Sequence, residues 1–142
     1  MWTRVGLALV FLVLLAACAS QPSQPATELT VEMTDFAYTP SSITVPAGQP
    51  VTLTLNNTGN IEHDFVVETI DVKAAVIKDN GSNEHHAHGA EQNYDLHVSA
   101  RAGETSVVQL TIAEPGTYKI ICSVEGHEEA GMIGELIVLD QE

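Results

Sequence analysis

The chain has 142 residues, 19 acidic against 5 basic side chains, a formal net charge of -14 and a hydrophobic fraction of 44%. That length suits one ordinary domain with a packed core and excludes a large multidomain enzyme. The acid excess excludes a nucleic-acid partner met through its phosphates and favours cations or basic partners. Aromatic residues are scarce, and Leu, Val and Ile carry the apolar content, which suits a small β-domain without requiring one.

Residues 1–17 read as a signal peptide: Arg4, then the apolar run Val5 to Leu15, then the small residues Ala16 and Ala17. A permanent span needs about 20 apolar residues, and this stretch meets Gln21 and Pro22 first. Leu15-Ala16-Ala17-Cys18 resembles a bacterial lipobox, in which Cys18 carries the lipid and becomes the mature N-terminus. Residues 18–28 then comprise the lipidated Cys and a flexible Pro- and Ser-containing tether. This route anchors the protein to the bacterial cell membrane, facing the periplasm or the cell exterior. Ordinary cleavage after Ala19 is the alternative and releases a soluble protein. Either way Cys122 stands alone in an exported chain, and no disulfide joins it to Cys18.

The domain is expected over residues 29–142. Short β-branched runs recur at 29–33, 42–45, 51–55, 64–67, 106–112, 117–121 and 134–139, several with apolar residues at alternate positions. Between them stand turn signals such as Pro46-Ala47-Gly48, Arg101-Ala102-Gly103 and Glu114-Pro115-Gly116. This rhythm is that of an antiparallel or mixed β-sandwich. Residues 69–95 break it with a helical start expected at 72–77 and a polar tract after it, a connection long enough to be functional or mobile. The cluster His85, His86 and His88, with His97 downstream, reads first as polar surface. Its sharper reading is a second copper or zinc site.

The segment from Cys122 through His127 to Met132 places a thiol, an imidazole and a thioether at intervals of five residues, between the end of one strand and the start of the last. A loop of this length can fold all three toward one point. His63, just ahead of a strand, is the best-placed second imidazole. Thiolate and two imidazoles with a weak axial thioether form the ligand set of blue-copper electron-transfer centres. A structural zinc site usually has two or more thiolates and no Met. Asp64, Glu125, Glu128 and Glu129 read as a solvated acidic rim, or more sharply as a docking patch for a basic redox partner.

With the segment from Asn56 to Phe65 and the loop from Cys122 to Met132 in this order, the chain resembles the cupredoxins of the plastocyanin/azurin superfamily, in its loop spacing the auracyanin-like blue copper proteins. The resemblance covers Leu29 to Leu139. It implies an all-β, cupredoxin-type Greek-key β-sandwich with one long, partly irregular or helical insertion. It implies His63, Cys122 and His127 as strong ligands of one type 1 copper ion, Met132 as the axial ligand, and His127 as the solvent-edge ligand through which electrons pass. Many members carry Asn directly after the first His, where its side chain ties the two ligand loops together; here Asp64 stands there. The expected function is a monomeric carrier of single electrons between exported or membrane redox partners, with no catalysis of its own. The alternative is a copper- or zinc-binding lipoprotein for metal storage or delivery. No serine-nucleophile, phosphate-loop or zinc-protease motif is present in the sequence.

Overall fold

The computed structural model describes residues 25–81 and 94–141. The leader 1–17, Cys18, most of the tether, and His85, His86 and His88 lie outside the described residues. The described chain forms ten strands: β1 Glu28–Thr34, β2 Ala37–Thr39, β3 Ser42–Pro46, β4 Val51–Asn57, β5 His63–Val67, β6 Val72–Lys78, β7 Leu96–Ala100, β8 Thr105–Ile112, β9 Gly116–Ile121 and β10 Ile133–Leu139. The first strand takes in Glu28, which the sequence assigns to the tether.

Alternation decides which face of each strand is buried. Val51, Leu53 and Leu55 of β4, Val108, Leu110 and Ile112 of β8, and Leu136 and Val138 of β10 turn inward. Their neighbours in sequence are half-buried or exposed. Two five-stranded sheets result, ordered β2-β1-β4-β8-β6 and β3-β10-β9-β5-β7. Pairing is mixed: β1 runs parallel to β4 and β3 parallel to β10, while the other ladders are antiparallel. Inward side chains of both sheets, among them Met33, Leu53, Phe65 and Leu136, merge into one apolar core, so the architecture is a β-sandwich.

The helical start expected at 72–77 is a strand. Residues 72–78 pair antiparallel with β8, with a register shift between Val76 and Lys78. The ladder with β8 satisfies the backbone here, and tertiary pairing overrides the weak helical preference of Ala74 and Ala75. Strand β6 lies at the sheet edge, and its two lysines and irregular register guard against pairing with another chain.

At one end of the sandwich the turn 35–36, the loop 58–62, the loop 101–104 and the loop 122–132 converge. Thr58 N–H donates to Met33 C=O at 2.9 Å, Asn57 N–H to Glu104 C=O at 2.9 Å, and Gly103 N–H to Asn57 C=O at 2.9 Å. Loop 58–62 is thereby held between its neighbours on both sides.

Candidate metal centre

His63 opens β5 directly after loop 58–62, and one buried side chain fixes that loop. Asn57 donates through Nδ2 to Ile61 C=O at 2.7 Å and Ala100 C=O at 2.8 Å, while its Oδ1 accepts from Gly59 N–H at 2.9 Å. Full use of the amide in a site with 0% exposure makes the approach to His63 rigid. The His63 ring is itself fully buried, and its Nε2 lies 3.3 Å from Asp35 Oδ1. Asp35 is in turn gripped by Asn60, whose side chain and backbone N–H both donate to it. Those bonds, with a smaller contribution from His63, hold the Asp35 carboxyl below its ordinary value.

The other donors come from the loop between β9 and β10. It folds on itself through His127 N–H to Val124 C=O at 3.1 Å, Ala130 N–H to Gly126 C=O at 3.0 Å, and Met132 N–H to His127 C=O at 2.9 Å. Gly126 and Gly131 have φ of 82° and 101°, left-handed values that glycine adopts at least cost. Two such turns let a short loop bring its side chains back to the sandwich end.

His63, Cys122 and His127 meet there, each buried, with their donor atoms all within 4.8 Å of one another. Cys122 Sγ is 3.3 Å from His127 Nδ1, and the two imidazole centroids are 5.1 Å apart. His63 Nδ1 is buried with no hydrogen-bond partner. An orphaned buried nitrogen beside a thiol and a second imidazole is what a metal ligand looks like without its metal. Met132 is fully buried, and its backbone C=O accepts from Cys122 N–H at 3.4 Å. This donor set, one sulfur and two nitrogens in a dry site, fits copper.

Burial pushes the Cys122 thiol up to about 11, opposed by the backbone N–H groups of Asp64 and Val124. The Asp64 N–H reaches the sulfur at 3.3 Å. His127 is 5% exposed against 0% for His63, so it lies nearer the surface. Phe36 packs edge-on against it, with ring centroids 5.1 Å apart. Phe36 carries φ of 69° on a non-glycine residue and is 44% exposed.

Asp64 is not part of a solvated rim. It is 1% exposed, its Oδ1 accepting from Ser99 Oγ at 2.7 Å and its Oδ2 from Ser123 Oγ at 2.5 Å. The tie between the two ligand segments therefore exists, made by a serine donating to a carboxylate. Burial favours the neutral acid, but hydrogen bonds from His97, Ser123 and Ser99 outweigh it and bring the Asp64 carboxyl down to about 2. His97 stands at this network, with Nε2 3.5 Å from Asp64 Oδ2. Glu125 and Glu129 are exposed as expected, and Glu128 pairs with Lys119. With Glu68 and Tyr94, these three glutamates line a shallow cleft that Cys122 and Ser123 also border.

Sequence spacing locates the three donors but misses Asp35, Asn57, Ser99 and Ser123. Of these, Asn57 and Ser123 lie in the two segments that carry the resemblance, while Asp35 and Ser99 lie outside both.

A family model described as a cupredoxin-like domain matches residues 6–101. The chain is 34% identical over 112 residues to the copper-resistant cuproprotein CopI of Rubrivivax gelatinosus, an alignment covering 76% of this chain and 64% of that protein's length. It is 35% identical over 103 residues to plastocyanin A/B of Petroselinum crispum, covering 72% of this chain and 88% of that one. Among solved structures, Na-dithionite-reduced auracyanin from Roseiflexus castenholzii shares the fold with a TM-score of 0.61 at 21% identity, over 82% of this chain and 99% of the other. The buried His-Cys-His cluster at one end of a two-sheet sandwich is consistent with these matches, and the chain belongs to the cupredoxin-like family.

Proposed function

We propose that this protein is a type 1 copper electron carrier, with His63, Cys122 and His127 as the strong ligands and Met132 as the weak axial one. The observation that carries the reading is the convergence of three buried donors within 4.8 Å, one of them an imidazole nitrogen with no protein partner. Bound copper supplies a one-electron Cu(II)/Cu(I) couple in which thiolate and thioether suit the reduced ion and imidazole suits both. The protein's part is positional. Asp35 orients the His63 ring and fixes which nitrogen is left for the metal. The Asp64 N–H donates to the sulfur, and the Val124 N–H adds to the field that favours a thiolate there. The sandwich excludes water and holds the ligands in one arrangement, so little rearrangement accompanies electron transfer.

The carrier shuttles single electrons between exported or membrane redox partners and catalyses no reaction of its own. It does so as a monomer tethered through lipid on Cys18. The acidic cleft around Glu68, Glu125, Glu128 and Glu129 favours partners with a basic docking face. Adding Cu(II) to the purified chain produces an intense visible thiolate-to-copper band that vanishes on reduction. A colourless, EPR-silent protein after loading overturns the proposal.

Similarity to CopI, named for copper resistance, supports a second reading as a copper- or zinc-handling lipoprotein. That reading requires more than one metal ion per chain. Equilibrium dialysis giving one equivalent, unchanged when His85, His86 and His88 are replaced, rejects it.

A further inference from the structure

The ligand set leaves one buried charge unused. Asp64 sits beside His63 on β5, and its backbone N–H donates to Cys122 Sγ at 3.3 Å. The same residue thus presents the positive end of an amide to the sulfur and carries a carboxylate close by. Both carboxylate oxygens are engaged, one by Ser99 and one by Ser123. Ser99 spends its hydrogen on Asp64, so its oxygen accepts from His97 Nε2 at 3.2 Å. Tyr38 O–H closes the other side by donating to Asp64 C=O at 2.5 Å.

This is a built site for an anion inside the protein. Charge in such a setting is poorly screened by salt and acts strongly on its neighbours. A copper centre gains one positive charge on oxidation, so a fixed negative charge nearby stabilises the oxidised form more than the reduced one.

We propose that the Asp64 carboxylate is a positioning residue that lowers the reduction potential of the metal centre, with the Ser99 and Ser123 hydroxyls setting how much of its charge the centre feels. The proposal rests on the type 1 copper reading above. It separates two roles that a neutral side chain at this position would merge: tying the ligand segments together, and biasing the oxidation state.

The test is redox titration of the copper-loaded full chain, followed at the visible thiolate-to-copper band, for wild type, Asp64→Asn and Ser99→Ala. Asp64→Asn keeps the shape and removes the charge. It shifts the Cu(II)/Cu(I) balance at least tenfold toward Cu(I), read as a rise of about 59 mV or more. Ser99→Ala keeps the charge but withdraws one donor from it, and it moves the potential the opposite way. An unchanged potential in Asp64→Asn, or shifts of the same sign in both variants, overturns the proposal and leaves Asp64 a structural tie. Should Asp64→Asn fail to fold, Ser99→Ala decides alone, an unchanged or raised potential being the contrary result. A wild-type chain that takes up copper without the visible band refutes the copper-centre reading itself, a failure distinct from an unmoved potential in a blue protein.

Discussion

Asp35 Oδ1 lies 3.3 Å from His63 Nε2, and the opposite ring nitrogen, Nδ1, is the buried atom left without a protein partner. The pairing fixes the tautomer: a proton on Nε2, shared with the carboxylate, leaves Nδ1 with its lone pair. A carboxylate behind a ligating imidazole also makes it a better donor.

Replacing Asp35 with Asn weakens that support while preserving its size. Copper affinity falls by about 10- to 100-fold, the usual cost of losing such a partner. Competition against a chelator of known affinity measures it, and an unchanged constant would show that Asn60 and the packing alone orient the ring.

Gly59 leaves room for this pair. A Cβ there would sit 2.6 Å from Asp35 Oδ1 and 2.9 Å from His63 Nε2, closer than side chains tolerate. Gly59→Ala therefore displaces one of them, costing about 1–3 kcal/mol in stability and lowering copper affinity. Urea unfolding of the copper-free protein reads the first effect and chelator competition the second.

Met132→Leu conserves volume in a fully buried position, so the stability change stays below about 1.5 kcal/mol. The visible band survives because Cys122, His63 and His127 remain. With the thioether gone the site loses a fourth electron-pair donor and becomes wholly apolar on that side, which costs the more highly charged Cu(II) more than Cu(I), so the potential rises. Loss of the band would instead assign Met132 a strong-ligand role.

Asp64 makes the copper-free protein acid-sensitive in a defined window. Its folded carboxyl titrates at about 2 against an ordinary value of 3.8, so the folded state binds this proton less readily than the unfolded chain. The stabilisation, about 2 kcal/mol, is complete above roughly pH 5 and drains away as pH falls through 4 toward 2. Urea midpoints measured across that range should converge for wild type and Asp64→Asn at the acid end. Parallel curves would mean the carboxyl is not depressed.

The strands that alternate cleanly, β4, β8 and β10, are readable from their own residues, because one face of each meets the core. The thiol, imidazole and thioether are readable because a single loop carries them at fixed spacing. Strand β6 is not, since its ladder depends on β8, more than two dozen residues further along the chain, and Ala74 and Ala75 carry no strand signal of their own. Three-residue β2 is too short to leave a pattern. Asp64 reads as surface because Glu62 and His63 precede it, and its burial is decided by Ser99 and Ser123 on distant segments. Asp35 escapes notice for the same reason, 28 residues from the ring it supports.

Strands β5 and β9 share one ladder pair, Val66 with Ile121, although His63 heads one strand and Cys122 follows the other. A metal held by both side chains is therefore a fastener across a seam that the backbone stitches only once. Its release and the opening of that end of the sandwich are coupled events, so occupancy and thermal endurance rise and fall together.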